Sequence, residues 1–426
     1  MKLISRGLAL LSFLWLVTSS ARTEGVRAGA ARIDVTPAYP VRMAGYDSRT
    51  NLSQGVHDPL SARALAFEQD GARIVLVSLE SLGFYNQTAD PLRDAILIGN
   101  GLKPSELFLC AIHTHSAPTL AFDPKLAPQV NVEYTQELGS KLAALVHDAL
   151  EHLAPVQIAT GSGASPVGVN RRQPVQQANG EVQIYLGRNP SVNVDHEVQV
   201  MKVTHADGGE VTAALFAYPC HSTSLGPRNY LISGDIHGIA AQFLEKYLGD
   251  SVVTPEFAGA SGDIDPWARV LPSFRTDKNW VPETVLLGTF LGEEVARVVD
   301  DLKNGATNCV IKTALKTLKL PGKVPPAYLS FASEKADGFN ITVARLGGIA
   351  FVGLGGEVFN ELGKTIKNLS PFQQTFVLTH CNGGAGYIPT AASYPSRGYE
   401  VDSSQFAAGA GEKIVNAALQ MLEDLQ

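Results

Sequence analysis

Continuous apolar runs of strand length alternate with amphipathic stretches along most of the chain. Positions 73–78 (Arg-Ile-Val-Leu-Val-Ser) and 107–112 read as buried strands, and 90–98 between them as a helix. The segment 132–153 carries Leu138, Leu142, Leu145, Ala149 and Leu153 at helical spacing, which predicts a helix with one apolar face laid on a sheet. Further strands are predicted at 198–204, 211–218, 252–257, 310–318, 341–346, 349–354 and 375–379, and helices at 236–248, 283–302, 358–367 and 404–425. The alternation defines an α/β class, a layered mixed sheet flanked by helices. Segments 321–326 and 389–397, with Pro, Gly or Ser, read as surface turns. No internal repeat or long linker interrupts the pattern.

Composition adds scale. With 426 residues, 45% of them hydrophobic and 18% charged, the chain has the apolar content for a large core, and 22–426 reads as one large catalytic domain. The net charge of -7, without a basic run, excludes nucleic acid as a partner. The first residues follow a different rule. Lys2 and Arg6 precede an apolar run at 8–17, and Thr18-Ser-Ser-Ala21 then supplies the small residues of a cleavage site. The run is short against the ~20 residues that span a bilayer. Residues 1–21 therefore read as a signal peptide cleaved after Ala21, and the mature protein as secreted or periplasmic. That compartment would be oxidising, so Cys110, Cys220, Cys309 and Cys381 are permitted one or two disulfides, with the pairing left open.

Candidate chemistry gathers where predicted strands end. In Cys110-Ala-Ile-His113-Thr-His115-Ser, strand alternation would put His113 and His115 on one side, facing a common pocket, as zinc ligands or as a ligand beside an acid/base group. His221 opens a second cluster after Tyr218-Pro-Cys. Asp235, ahead of the helix at 236–248, suits a helix cap or a carboxylate holding a ligand's second nitrogen; His237 reads as structural. The run Phe351-Val-Gly-Leu-Gly-Gly356-Glu357 ends in a carboxylate where a phosphate loop would supply lysine, so Glu357 fits a metal site or a helix cap better than a phosphate cradle.

Together these segments resemble, in order and spacing, the catalytic domain of the neutral/alkaline non-lysosomal ceramidase family. The resemblance is carried by Gly29-Ala-Ala-Arg-Ile-Asp34-Val-Thr36-Pro, Met43-Ala-Gly45-Tyr46, Gly55-Val-His57-Asp-Pro-Leu-Ser-Ala-Arg63, His113-Thr-His115-Ser, Val169-Asn170-Arg171, the stretches around His221 and Ser233-Gly-Asp235, Gly262-Asp263-Ile-Asp265-Pro266, and Glu357. It implies a ceramidase-type zinc hydrolase fold with His113, His221, Glu357 and Tyr387 as ligands of a Zn2+ cofactor. His115 would be the acid/base group, Tyr399 with Arg171 would stabilise the developing oxyanion, and Asp235 would steady a ligand. The implied reaction is cleavage of a linear amide of ceramide or a related N-acyl lipid by zinc-activated water. The implied partners are a small-molecule or lipid substrate and peripheral contact with a membrane, with no obligate protein partner.

Three departures qualify that expectation. Asp265 stands where the family carries a motif serine, and a carboxylate cannot form the acyl ester that a hydroxyl could; Asp265 is left to orient water, bind a polar substrate group or cap the turn before Pro266. The sequence past the last predicted helix leaves no room for the family's C-terminal immunoglobulin-like sandwich of ~100 residues. No contiguous run of large apolar residues marks a lipid groove. A zinc hydrolase of another amide or ester, and a non-catalytic envelope binding protein that keeps the fold, are the two other readings.

Overall fold

The computed structural model describes residues 25–268, 283–303, 305–323 and 338–426; the expected signal peptide at 1–21 and part of the turn at 321–326 lie outside them. The chain is built in four layers, helices on sheet on sheet on helices. The first sheet is mixed and eight-stranded, running edge to edge as Glu256–Ala258, Val211–Tyr218, Glu197–His205, Ala154–Ala164, Arg27–Asp34, Ser61–Gln69, Ala72–Leu79 and Leu107–Ala111. Its two outermost pairs are parallel and the pairs between them antiparallel. The second sheet orders Ile311–Leu318, Phe339–Leu346, Ile349–Leu354 and Gln374–Leu378.

Period-two alternation explains the stack. Along Ala72–Leu79, Val75, Val77 and Leu79 face the helices Ala89–Asn100 and Gln129–Glu151, while Ile74 and Leu76 face the second sheet. The seam between the sheets is aromatic: Phe108 meets Phe351 edge-on at 6.3 Å, and Phe351 stacks on Phe376 at 5.2 Å. Helices Asp235–Leu248 and Glu283–Asp301 cover the rest of the first sheet, and Asn360–Leu369 and Ala410–Asp424 cover the second. With both faces covered, these strands appear in the sequence as unbroken apolar runs. Among the described residues no helix is long and apolar enough to cross a membrane.

The structure corrects the sequence-based elements at several places. The α/β layering flanked by helices is as expected, with the strands divided between two stacked sheets. The strand expected at 252–257 is confined to Glu256–Ala258, and the helix expected at 404–425 begins only at Ala410, after Gly409 turns the backbone to φ +88°. Unforeseen strands include Arg27–Asp34 and Ser61–Gln69, whose alanine-rich sequences carry little β propensity. Their thinness has a purpose. A Cβ on Gly29 would lie 2.1 Å from the Ala149 carbonyl oxygen, so the helix Gln129–Glu151 rests directly on strand backbone. Gly29→Ala should therefore lower the unfolding free energy by about 1–3 kcal/mol, read as a lower urea midpoint at unchanged slope.

One polar cluster is sealed inside this frame. Arg63, opposite Arg32 on the neighbouring strand, is fully buried and donates from Nη1 to Glu80 at 2.7 Å and to Glu256 at 2.9 Å, and from Nε to Glu245 at 2.8 Å. Glu245 also accepts from Arg32, which relieves the like-charge pair across the strands.

Candidate active site

The site forms where the strands Leu107–Ala111 and Val211–Tyr218 run out and the turn after Ile349–Leu354 crosses beside them. His113 and His115 do not share a side through strand alternation as expected. The strand ends at Ala111, and His113 takes a left-handed φ of +63°, a conformation that costs a non-glycine residue energy and turns its ring back toward His115. The rings stand edge to face at 4.8 Å with Nε2 atoms 3.2 Å apart. Room for His115 comes from Gly45 (φ +97°), where a Cβ would meet Nδ1 at 2.4 Å, and Tyr46 packs on its other side at 4.8 Å. The Met-Ala-Gly-Tyr segment is thus the seat of this imidazole.

Backbone carbonyls set the orientation of the two other rings. His113 Nδ1 donates to the Leu82 carbonyl at 2.6 Å, and His221 Nδ1 to those of Ser261 and Ile264 at 2.7 and 3.1 Å, which directs both Nε2 atoms inward. Glu357 completes the group, its Oε2 lying 3.4 Å from His113 Nε2 and 3.5 Å from His221 Nε2. Tyr85 donates to Oε1 at 2.6 Å, leaving Oε2 buried with no hydrogen-bond partner among the described residues. Burial lowers the His221 imidazole, with Arg171 and His113 adding to the effect, and it lowers His115 further with help from His113 and His221. Burial alone would raise the Glu357 carboxyl; His113 and His221 outweigh it and hold the group well below the usual carboxylate range.

The donor set suits a divalent cation. Nitrogen and oxygen ligands about 2.0–2.1 Å from a tetrahedral zinc are separated by about 3.3–3.4 Å, and the inward-facing atoms here are 3.2–3.5 Å apart. An unpartnered carboxylate oxygen aimed at two imidazole nitrogens is costly unless a cation shares it. The ligand atoms of His113, His115 and His221 lie within 4.8 Å of one another, so the geometry offers His115 as a metal donor as well as an acid/base group.

Arg171 ties the remaining candidates together. Its guanidinium donates to Tyr387 Oη at 3.0 Å, Glu400 at 2.8 Å, Asp265 at 3.2 Å and His221 Nε2 at 3.1 Å. Desolvation opposes its charge, but Tyr387, Glu400 and Asp265 more than compensate. Tyr387 is paired in register with Glu357 and is held as a neutral phenol by burial; Tyr399 stands edge to face with it at 5.6 Å and is 39% exposed, at the mouth of the site. Asp265 lies within the short strand Ile264–Pro266, buried, with its carboxylate between Arg171 and Arg188. Asp235 is the clearest displacement. Carbonyls, not a carboxylate, hold the Nδ1 atoms of His113 and His221, and Asp235 instead accepts from Ser224, Leu225 and Ile236, bracing the loop that follows His221. Buried His237 shares a hydrogen bond with Ser222 and contacts the Tyr218 carbonyl, which accords with a structural role.

Three participants were not anticipated from the sequence. Tyr85 comes from a loop with no motif of its own, Glu400 anchors both Arg171 and Arg172, and His380 stacks on His113 at 4.1 Å and 13°. Glu400 alone had a cue, its position next to Tyr399.

The model of the neutral/alkaline non-lysosomal ceramidase N-terminal domain matches residues 26–264. The neutral ceramidase of Oryza sativa subsp. japonica is 25% identical over 244 residues, 55% of this chain and 31% of that protein. That of Mycobacterium tuberculosis is 26% identical over 261 residues, 56% and 39% of the respective chains. The chain thus spans between about a third and two fifths of these relatives' length. The crystal structure of neutral ceramidase from Pseudomonas aeruginosa has the same fold, with a TM-score of 0.75 at 19% identity over 94% of this chain and 75% of that one. Since the family match covers more than half of its length, the chain belongs to the neutral/alkaline non-lysosomal ceramidase family.

Proposed function

We propose that this protein is an exported zinc-dependent hydrolase that cleaves the amide bond of ceramide or a related N-acyl lipid. The observation that carries the reading is the unpartnered Glu357 oxygen between His113 and His221. Zinc, when bound, would supply a water acidified toward pKa ~7 and an electrophile for the scissile carbonyl.

The chain's own residues supply the rest. His113, His221 and Glu357 hold the cation, with Tyr387 beside them. His115, half-buried and kept neutral by desolvation, turns its Nε2 into the site and is placed to take a proton and pass it to the leaving amine. Tyr399 and the fixed positive charge of Arg171 stabilise the oxyanion; a single donor of this kind is worth ~3 kcal/mol. A second solved structure, a ceramidase complexed with C2, has a TM-score of 0.76 at 17% identity over 94% of this chain and 75% of that one, and supports the fold on which this reading rests.

Hydrolysis of a different amide or ester is a second reading. It is favoured by Asp265, whose carboxylate gives the neighbourhood of Arg171 and Arg188 a fixed polar arrangement where the family has a hydroxyl. Purified protein, treated with a chelator and then resupplied with zinc, should lose and regain cleavage of a ceramide within a panel of amides and esters. Full ceramide cleavage after quantitative zinc removal would exclude the proposed chemistry, and cleavage of other panel members alone would select the second reading.

A further inference from the structure

Two of the four cysteines face each other across the molecule's central seam. Cys110 lies on the strand Leu107–Ala111 of the first sheet and Cys381 just past the last strand of the second, and they form an antiparallel bridge. The flanking hydrogen bonds, Ala111 N–H to the His380 carbonyl at 3.2 Å and Asn382 N–H to the Leu109 carbonyl at 2.8 Å, make them a non-hydrogen-bonded pair. In such a pair the Cα atoms are about 4.5 Å apart with side chains drawn together, inside the span of a disulfide. Burial, with the neighbouring Cys381 thiol adding to it, pushes the Cys110 thiol well above its ordinary value. The other cysteines have separate surroundings: Cys220 Sγ contacts the His221 carbonyl at 3.4 Å, and Cys309 lies beside Gly347.

We propose that Cys110 and Cys381 are a disulfide-forming pair, oxidised as the chain folds, that staples the two sheets together directly behind the candidate metal site. Each thiol gives up one proton and one electron as the Sγ–Sγ bond forms. The two electrons pass through a mixed disulfide to an external disulfide oxidant, which leaves as two thiols. Both sulfurs are closed to solvent in the folded state, with residue exposures of 1% and 0%, so oxidation belongs to folding and not to later exchange. The bond would fix His380, whose ring stacks on His113, to the strand that leads into His113.

The whole protein would be folded with reduced and oxidised glutathione, denatured in acid, alkylated with N-ethylmaleimide without reduction, and mapped by peptide mass. The expected result is modification of Cys220 and Cys309 alone, with the peptides bearing Cys110 and Cys381 joined, and a melting temperature roughly 3–6 °C lower when the protein is unfolded and refolded under reductant, so that the pair is reduced. Alkylation of all four cysteines after oxidative folding, or a bond between any other pair, would overturn the pairing. A joined pair whose reduction leaves the melting temperature unchanged would overturn the staple.

Discussion

His221→Ala is expected to lose bound zinc and to cut ceramide turnover by at least about 10³-fold while leaving the fold in place. The imidazole is buried, and its Nε2 faces Glu357 Oε2 at 3.5 Å. Removing it takes away one nitrogen of the donor set and leaves Arg171 Nη1, which sits 3.1 Å from that nitrogen in the native site, short of one partner. What remains behind the ring is modest in cost. The carbonyls of Ser261 and Ile264 lose one donor, and a carbonyl left short of partners is tolerated better than an orphaned N–H. His113→Ala should give the same double loss with a larger fall in stability, because His380 also loses the ring it stacks on. Metal content by mass spectrometry, turnover, and the melting curve separate the possibilities. Zinc retained at full occupancy in both variants would remove these residues from the ligand set.

The site was legible where sequence neighbours stay neighbours and where a strand end carries an unusual side chain. His113, His221 and Glu357 each follow an apolar strand, and the structure places Glu357 Oε2 3.4 and 3.5 Å from the Nε2 atoms of the two histidines. The reason His113 meets His115 was not legible, since it depends on a backbone turned to positive φ, which no side-chain pattern announces. Tyr85 was invisible for a similar reason: its place beside Glu357 is fixed by long-range packing across 272 positions of sequence. Strands of valine, leucine and phenylalanine were found because both faces are buried. Arg27–Asp34 escaped because its alanines and glycine are selected by the helix pressed against them, so tertiary packing overrides local propensity. Asp235 shows the limit of motif reading. A carboxylate near a histidine cluster suits ligand support, yet its oxygens are spent on a helix start and a serine loop.

The second large effect lies beneath the site. Arg63→Met is expected to lower the unfolding free energy by about 3–5 kcal/mol, since it leaves Glu80, Glu245 and Glu256 buried without the guanidinium they share. The loss should depend on pH with a definite sign. Burial pushes the Glu80 carboxyl up to about 7 and Glu256 well above its ordinary value, although Arg63 pulls both down. Without Arg63 both rise further. A carboxyl whose folded value exceeds its unfolded one binds its proton more tightly in the folded chain, so stability falls as pH climbs from the unfolded value through the folded one. The deficit of Arg63→Met should therefore be smallest near pH 5 and largest near pH 8, measured as paired urea unfolding curves. Adding Glu256→Leu should recover part of it, because replacing both partners of a buried pair by apolar groups removes the uncompensated charge along with its partner. A deficit that does not change with pH would show that the lost term is packing of the arginine stem, not the charge it balances. Glu80 is two residues from Leu82, whose carbonyl orients His113, so the cluster's failure should also reach the metal site: zinc affinity in Arg63→Met is expected to weaken above neutrality, where the carboxylates repel one another.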